Sequence, residues 1–416
     1  MLLVVNAATA LLQAQISIND GKGWDGSAYY TLAQQISNGQ QLTAEAPFVY
    51  RVGTPFLASL FFKDDLLLGF KMVNLAANTV TTLLLVVWFR LFIGDWRVRL
   101  ALLAAFLTQW HGPVRFVHFY PVASDNWFIA ILLAGLLGIH AARRHSSWLM
   151  VAGIGALAVL GVLMRESGML LAFAAPLARN PLRVAWRLPQ FPLRFLIPLA
   201  LAIVTFAGVH AVAHVTNIYS ASEGAPFVVP KSAPTYLLGW WTAFGLLLVF
   251  PIYHWRRTLA FLWEHQYMAG LLLAVALLSS FSSPALQLQL QDTERYLFWA
   301  VPIVFVLVGR AIEHSVPLLT WPLLALIVAG QALAERVFWT IPQPGSGDPN
   351  LTFERSTSAL LLLTPLGGGV QYFDIFPSWM SQPYRLILLG EYVGLAAIVV
   401  AWLYWRAAAR EHRSRA

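Results

Sequence analysis

Apolar positions in this chain come in long unbroken blocks. They show neither the alternation of a half-buried strand nor the single stripe of an amphipathic surface helix. The blocks lie near residues 2–17, 67–89, 98–112, 123–141, 147–164, 167–179, 195–214, 236–254, 266–283, 295–311, 316–333 and 385–405. Most approach the length of about 20 residues that a helix needs to cross a bilayer. The pattern predicts an all-α polytopic transmembrane helical bundle of about 12 membrane segments, forming one integral membrane domain over 1–416. The blocks at 2–17 and 167–179 are short, and 167–179 can pair with 147–164 as a hairpin that does not fully cross. Met1 to Ile16 has no basic leading region and is interrupted by Asn6. That predicts a retained first helix rather than a cleaved signal peptide.

Two polar intervals, 17–66 and 334–384, exceed ordinary connector length. The first contains an amphipathic stretch, Gly26 to Ser37, with Tyr29, Tyr30, Leu32, Ala33 and Ile36 near one side. Such a helix is expected to lie along the membrane surface. The second has a turn-rich run from Pro342 to Pro349 and then an apolar stretch, Ser358 to Leu366, too short to span. No internal repeat is evident, which argues against the inverted-repeat transporters.

Composition agrees with a membrane protein: 58% of residues are hydrophobic and 11% charged. Cysteine is absent, which excludes disulfides, thiolate metal sites and cysteine nucleophiles. The net charge of +8 does not call for nucleic acid, because its distribution follows the membrane. With the N-terminus cytoplasmic, 16 of the 27 basic residues fall inside, against four acids, Asp95, Glu264, Glu313 and Glu411. Among those 16 are Arg90, Arg143, Arg144, Arg256, Arg257 and Arg310. Such a bias is the positive-inside rule, and it predicts cytoplasmic termini, as in a bacterial inner-membrane protein.

On that topology Asp20, Asp25, Glu45, Arg51, Arg115, His118, Asp125, Arg165, Glu166, Asp292, Glu294 and Arg295 gather at the non-cytoplasmic face. Charges at one level of a bundle are expensive unless they pair or face a wet cavity. Lys71, Asn74 and Asn78 form a polar stripe on the block at 67–89, which reads as interhelix contact or a cavity wall. Glu391 lies inside the last block and demands a partner or water.

The strongest local signal is Gly23-Trp24-Asp25-Gly26-Ser27-Ala28-Tyr29-Tyr30, followed by Tyr50-Arg51-Val52-Gly53-Thr54-Pro55. Together with Tyr120-Pro121-Val122-Ala123-Ser124-Asp125 and Met164-Arg165-Glu166-Ser167-Gly168, it resembles the GT-C membrane glycosyltransferases. These enzymes take sugar from a polyprenyl-phosphate donor, and a carboxylate soon after the first helix serves as the base. The resemblance implies Asp25 in that role, with Asp20 as reserve. It implies transfer to a glycan, lipid or protein acceptor. A carboxylate that deprotonates the acceptor hydroxyl suits an oxocarbenium-like transition state. Arg51, Arg165 and Arg295 are candidates to hold the donor phosphate in bidentate fashion. Tyr29 and Tyr30 offer aromatic faces, and His118, Asp125 and Glu166 complete the candidate substrate-binding set. The paired acidic motif of some subfamilies is not evident, so the sugar stays open.

Each residue also has a plainer reading. Asp25 and Asp125 both stand where helix N-caps belong. Arg165 and Glu166 can be neighbours at a membrane boundary, His118 an interfacial histidine, and Arg295 part of a solvated loop. Outer carboxylates would suit Mg²⁺ or Mn²⁺, though no spacing specifies a metal site. Asn350-Leu351-Thr352 is a glycosylation acceptor only in a eukaryotic secretory host. Two rival classes remain. An O-antigen polymerase or ligase would rely on Arg336 and Arg355 in the late loop, and a transporter or flippase would place its key charges at mid-membrane.

Overall fold

The computed structural model describes residues 4, 15–16, 19–23, 25–143, 147–179, 193–216, 229–282, 293–335 and 382–415. These residues are overwhelmingly helical. Two short ladders interrupt them: Thr43–Ala44 runs parallel to His214–Val215, and Val229–Pro230 runs antiparallel to Phe281–Ser282. Among the described residues six helical stretches are long and apolar enough to cross a membrane, as an integral membrane protein requires. They are Leu66–Phe92, Asp125–Ala142, Arg194–Val212, Ala233–Tyr253, Val301–Leu318 and Leu386–Ser414. A further pair, Trp255–Glu264 and Gln266–Ser280, is bent by 111° at its break. Trp148–Met164, Glu166–Ala178 and Trp321–Gln331 are apolar but shorter. The expected first segment at 2–17 falls almost wholly outside the described residues, as does the late loop except at its two ends.

The elements that position the site are α1 (Asp25–Ser37), α2 (Gly53–Phe61), α3 (Leu66–Phe92), α4 (Trp96–Leu107), α5 (Asp125–Ala142) and α6 (Trp148–Met164). Helix α3 starts at Asp65, whose carboxylate accepts the Leu68 N–H at 2.9 Å and satisfies one orphan donor of the first turn. One side of α3 buries Phe70, Asn74, Ala77, Asn78, Leu85 and Trp88, while Leu83 is 60% exposed on the other. Arg194–Val212 is barer still, with only 17% of its apolar window buried. Faces of this kind would be a liability in water, and lipid covers them at no cost.

Two expected spans are divided. The block at 98–112 ends as α4 at Leu107, and after Gln109 the chain winds into a wide π-helix, Trp110–Phe119, that contains Pro113. Proline cannot supply the N–H of a regular turn, which favours this local rewinding. The block at 295–311 divides into Thr293–Phe298 and Val301–Ser315, the second opening with Pro302.

Residues 26–37 are helical as expected, within α1. The apolar side of α1 packs on protein: Tyr29 and Ala33 join Phe48, Phe70 and Val122, and Leu32 joins Ala44 and Val49. The exposed apolar face belongs to α2 instead, where Phe56, Leu60 and Phe61 are 49%, 51% and 66% exposed. In α1 the stripe is short, and the π-helix end and α3 are already there to cover it.

Candidate functional site

The site is built on the turn that joins the π-helix to α5. Asn74, fully buried on α3, donates through Nδ2 to the carbonyls of Pro121 at 2.6 Å and Ala123 at 3.0 Å. Asn126 donates to the Phe116 carbonyl at 3.1 Å, tying the first turn of α5 back to the π-helix. Asn74, from the polar stripe on α3, thus clamps this turn. Within it Ser124 occupies the cap position without a capping bond, and Asp125 is the first helical residue. The cap reading of Asp125 therefore fails: its carboxylate is spent elsewhere.

Asp125 is 1% exposed and sits between two buried arginines. Arg295 donates from Nε to Oδ1 at 3.0 Å and from Nη2 to Oδ2 at 2.6 Å, a bidentate pair. Arg165 donates from Nη1 to both oxygens, at 3.2 and 3.1 Å, and Trp299 Nε1 adds a bond to Oδ1 at 3.3 Å. The guanidinium of Arg165 lies 4.8 Å from the Trp299 ring centroid, and that of Arg295 lies 4.8 Å from the Phe116 ring. Arg165 Nε is buried with no hydrogen-bond partner among the described residues. Arg165 is held in extended backbone where α6 ends, and the chain then turns so tightly that a Cβ on Gly168 would collide with the Gly161 backbone.

The chain of charges continues outward. Arg295 Nη1 lies 3.8 Å from Asp25 Oδ2, an ion pair beyond hydrogen-bond length. Asp25 is the first residue of α1, with a side chain 28% exposed, so it opens the helix instead of preceding it as a cap. Alongside runs a second pair. Arg51 Nε donates to Glu166 Oε2 at 2.9 Å and Oε1 at 3.2 Å, and its Nη1 donates to the Tyr29 hydroxyl at 2.9 Å. Burial works against the charge on Arg51, but Glu166 and Tyr29 outweigh it and hold the guanidinium ionised well above its ordinary range. Three arginines meet three carboxylates, so the site is formally balanced.

The Gly-Trp-Asp-Gly spacing has a structural cause. Gly23 has φ +72° and packs on the Tyr120 ring, where a Cβ would collide. The Gly26 N–H donates to the Tyr120 hydroxyl at 2.6 Å. Burial, with the Asp25 charge adding to it, pushes the Tyr120 phenol well above its usual value, so it remains a neutral anchor.

Of the residues singled out from sequence, Asp25, Tyr29, Arg51, Asp125, Arg165, Glu166 and Arg295 come together here. Asp20 does not: its side chain is 96% exposed, with Lys22 at 3.9 Å. Tyr30 is half-buried beneath Lys22, 4.7 Å from the ring centroid. Glu45 is exposed. His118 is half-buried, its Nε2 has no hydrogen-bond partner among the described residues, and burial lowers its pKa to about 4. Trp24, Asp292, Arg336, Arg355 and Asn350 lie outside the described residues. The sequence reading passed over Tyr120, Trp299 and Asn74 as parts of the site. Asn74 left a signal in its three- and four-residue spacing with Lys71 and Asn78, and Trp299 in its place four residues after Arg295.

Among the described residues no three His, Asp or Glu side chains group as ligands for a metal ion. The partly exposed carboxylates of Asp25 and Glu166 are the oxygen donors a divalent cation would use. What these elements define is a helical bundle, with helices able to span a membrane, carrying a buried arginine–carboxylate network at one end. No protein-family model matches the chain, and no curated protein matches it.

Proposed function

We propose that the chain is a GT-C-like integral membrane glycosyltransferase of about a dozen segments. In this reading it acts on the non-cytoplasmic face, with both termini cytoplasmic. It moves one sugar from a polyprenyl-phosphate donor to a glycan, lipid or protein acceptor, with inversion. One observation carries the reading: Asp25, on the helix opening the outer loop, is the partly exposed carboxylate at the mouth of an otherwise buried arginine–carboxylate chain. The acceptor hydroxyl attacks the anomeric carbon as the bond from that carbon to the phosphate oxygen breaks. Asp25 takes the hydroxyl proton, and the electron pair leaves with the phosphate.

Arg295 and Arg165 are the cations for that phosphate, with the buried Nε of Arg165 as an uncommitted donor. Asp125 accepts five hydrogen bonds or bond components from three side chains, so it serves to orient the arginines, not to accept a proton. Arg51 and Glu166 brace α1 through Tyr29.

The test is sugar transfer by purified protein from a panel of polyprenyl-phosphate sugars. Asp25→Asn should lower kcat by about 10²- to 10⁴-fold, the usual worth of a general base, with folding intact. Transfer that survives the change removes Asp25 as base. No transfer by wild type from any donor removes the class.

A further inference from the structure

The end of α5 opposite Asp125, about 23 Å along the axis at 1.5 Å per residue, carries a different cluster. A cavity of ≈ 420 Å³ lies there, bordered by His140, Arg143, Phe261, Glu264, His265 and Arg310. Its size falls within the range of about 300–1,000 Å³ typical of ligand sites, and its wall sets charged and imidazole side chains beside the apolar Leu91, Phe92 and Phe261. Arg143 Nη2 donates to the Glu264 carbonyl at 2.8 Å, and Arg310 Nη1 donates to the Phe92 carbonyl at 3.3 Å. Both arginines thus lean on backbone and not on a carboxylate. Glu264 is exposed, so two guanidiniums face one peripheral acid.

Two imidazoles complete the wall. The rings of His140 and His265 are parallel within 7°, with centroids 6.2 Å apart. His265 Nδ1 donates to the Phe261 carbonyl at 3.0 Å, which leaves Nε2 to gain a proton beside an anion. A membrane-boundary arginine needs no such setting. Arg97 simply faces solvent, whereas Arg310 is half-buried with its guanidinium 4.7 Å from the Phe261 ring centroid. Side chains held in this way are preorganised for a ligand.

From this geometry we infer that the His140–Arg143–His265–Arg310 cavity binds a phosphate-bearing anion, held by the two guanidiniums. The group is either a soluble phosphate or the phosphate of a lipid headgroup. The site stands apart from the Asp25 cluster and does not depend on the transfer reaction.

The experiment measures equilibrium dialysis of radiolabelled inorganic phosphate against the purified full chain in detergent. A second arm compares thermal midpoints in phosphatidylcholine vesicles with and without phosphatidic acid. Arg143→Gln and Arg310→Gln should each weaken binding about tenfold, the worth of one charge-assisted bond. Glu264→Gln, at an exposed position that tolerates change, should tighten it about threefold. Arg97→Gln should leave it unchanged. Binding of inorganic phosphate identifies a soluble ligand, and a response to phosphatidic acid alone identifies a headgroup. If neither probe binds, the inference falls. It also falls if binding survives both glutamine variants, or if Glu264→Gln weakens it. Should the glutamine variants misfold, Arg143→Lys and Arg310→Lys keep the charge and lose the planar fork, and should weaken binding less than tenfold but measurably.

Discussion

The two ends of α5 handle charge in opposite ways. At the Asp125 end Arg51, Arg165 and Arg295 each pair with a carboxylate, and the carboxylate between Arg165 and Arg295 is 1% exposed. At the His140 end the arginines lean on backbone carbonyls around an open cavity, and the one acid is peripheral. Burial explains the difference. A guanidinium shut inside a low-dielectric bundle needs a counter-charge to remain ionised, whereas one bordering a water-filled cavity does not. Balanced charge fixes geometry, and unbalanced charge leaves room for an anion. A single helix can therefore carry a rigid site at one end and a receptive one at the other.

The comparison breaks most easily at Asp125. Asp125→Asn keeps the shape but leaves Arg165 and Arg295 buried without a formal counter-charge, which should destabilise the protein by about 3–5 kcal/mol. Arg143→Gln at the other end should cost less than about 1 kcal/mol, since its hydrogen bond goes to a partly solvated carbonyl. Chemical denaturation in detergent measures both. Equal losses at the two ends would refute the contrast drawn from burial.

A second change tests whether the rigid end extends to α1. Tyr120→Phe removes the acceptor of the Gly26 N–H and leaves that buried donor unsatisfied, at about 1–3 kcal/mol. Because the same anchor seats Asp25, transfer should fall more than stability does. A stable variant with full transfer would show that Asp25 is positioned by Arg295 alone.

Much of this was legible from residue pattern, for reasons that also mark where it stopped. The span expected at 67–89 is α3 at Leu66–Phe92, because a long apolar block with an Asp ahead of it has few alternatives. Asn74 could be read as facing inward, but not as gripping Pro121 and Ala123, since a polar residue on a helix does not name its partner. The π-helix was invisible because Trp110 to Phe119, with His111, Pro113, Arg115 and His118 among its residues, reads as the end of a span and a connector. In the site, acids and arginines on one face could be listed from topology. Their pairing could not, since Arg295 and Asp125 are 170 residues apart and only packing chooses among three arginines. The cavity at the His140 end was hidden for another reason. Its arginines look in sequence like any others that obey the positive-inside rule.

The mildest effect concerns acid. His118 is half-buried on the π-helix, with a pKa lowered to about 4 from an ordinary 6.5 by burial. Folding therefore favours the neutral ring. The unfolded chain takes up a proton as pH falls through about 6.5 and the folded protein does so only near 4, so stability present above that window is lost across it. For a half-buried group the loss is on the order of 1–2 kcal/mol after allowance for solvent. His118→Gln should flatten this part of the acid response, seen as a smaller drop in thermal midpoint between about pH 7 and about pH 4.5. An acid response that persists undiminished in this variant would show that the sensitivity resides in a different titrating group.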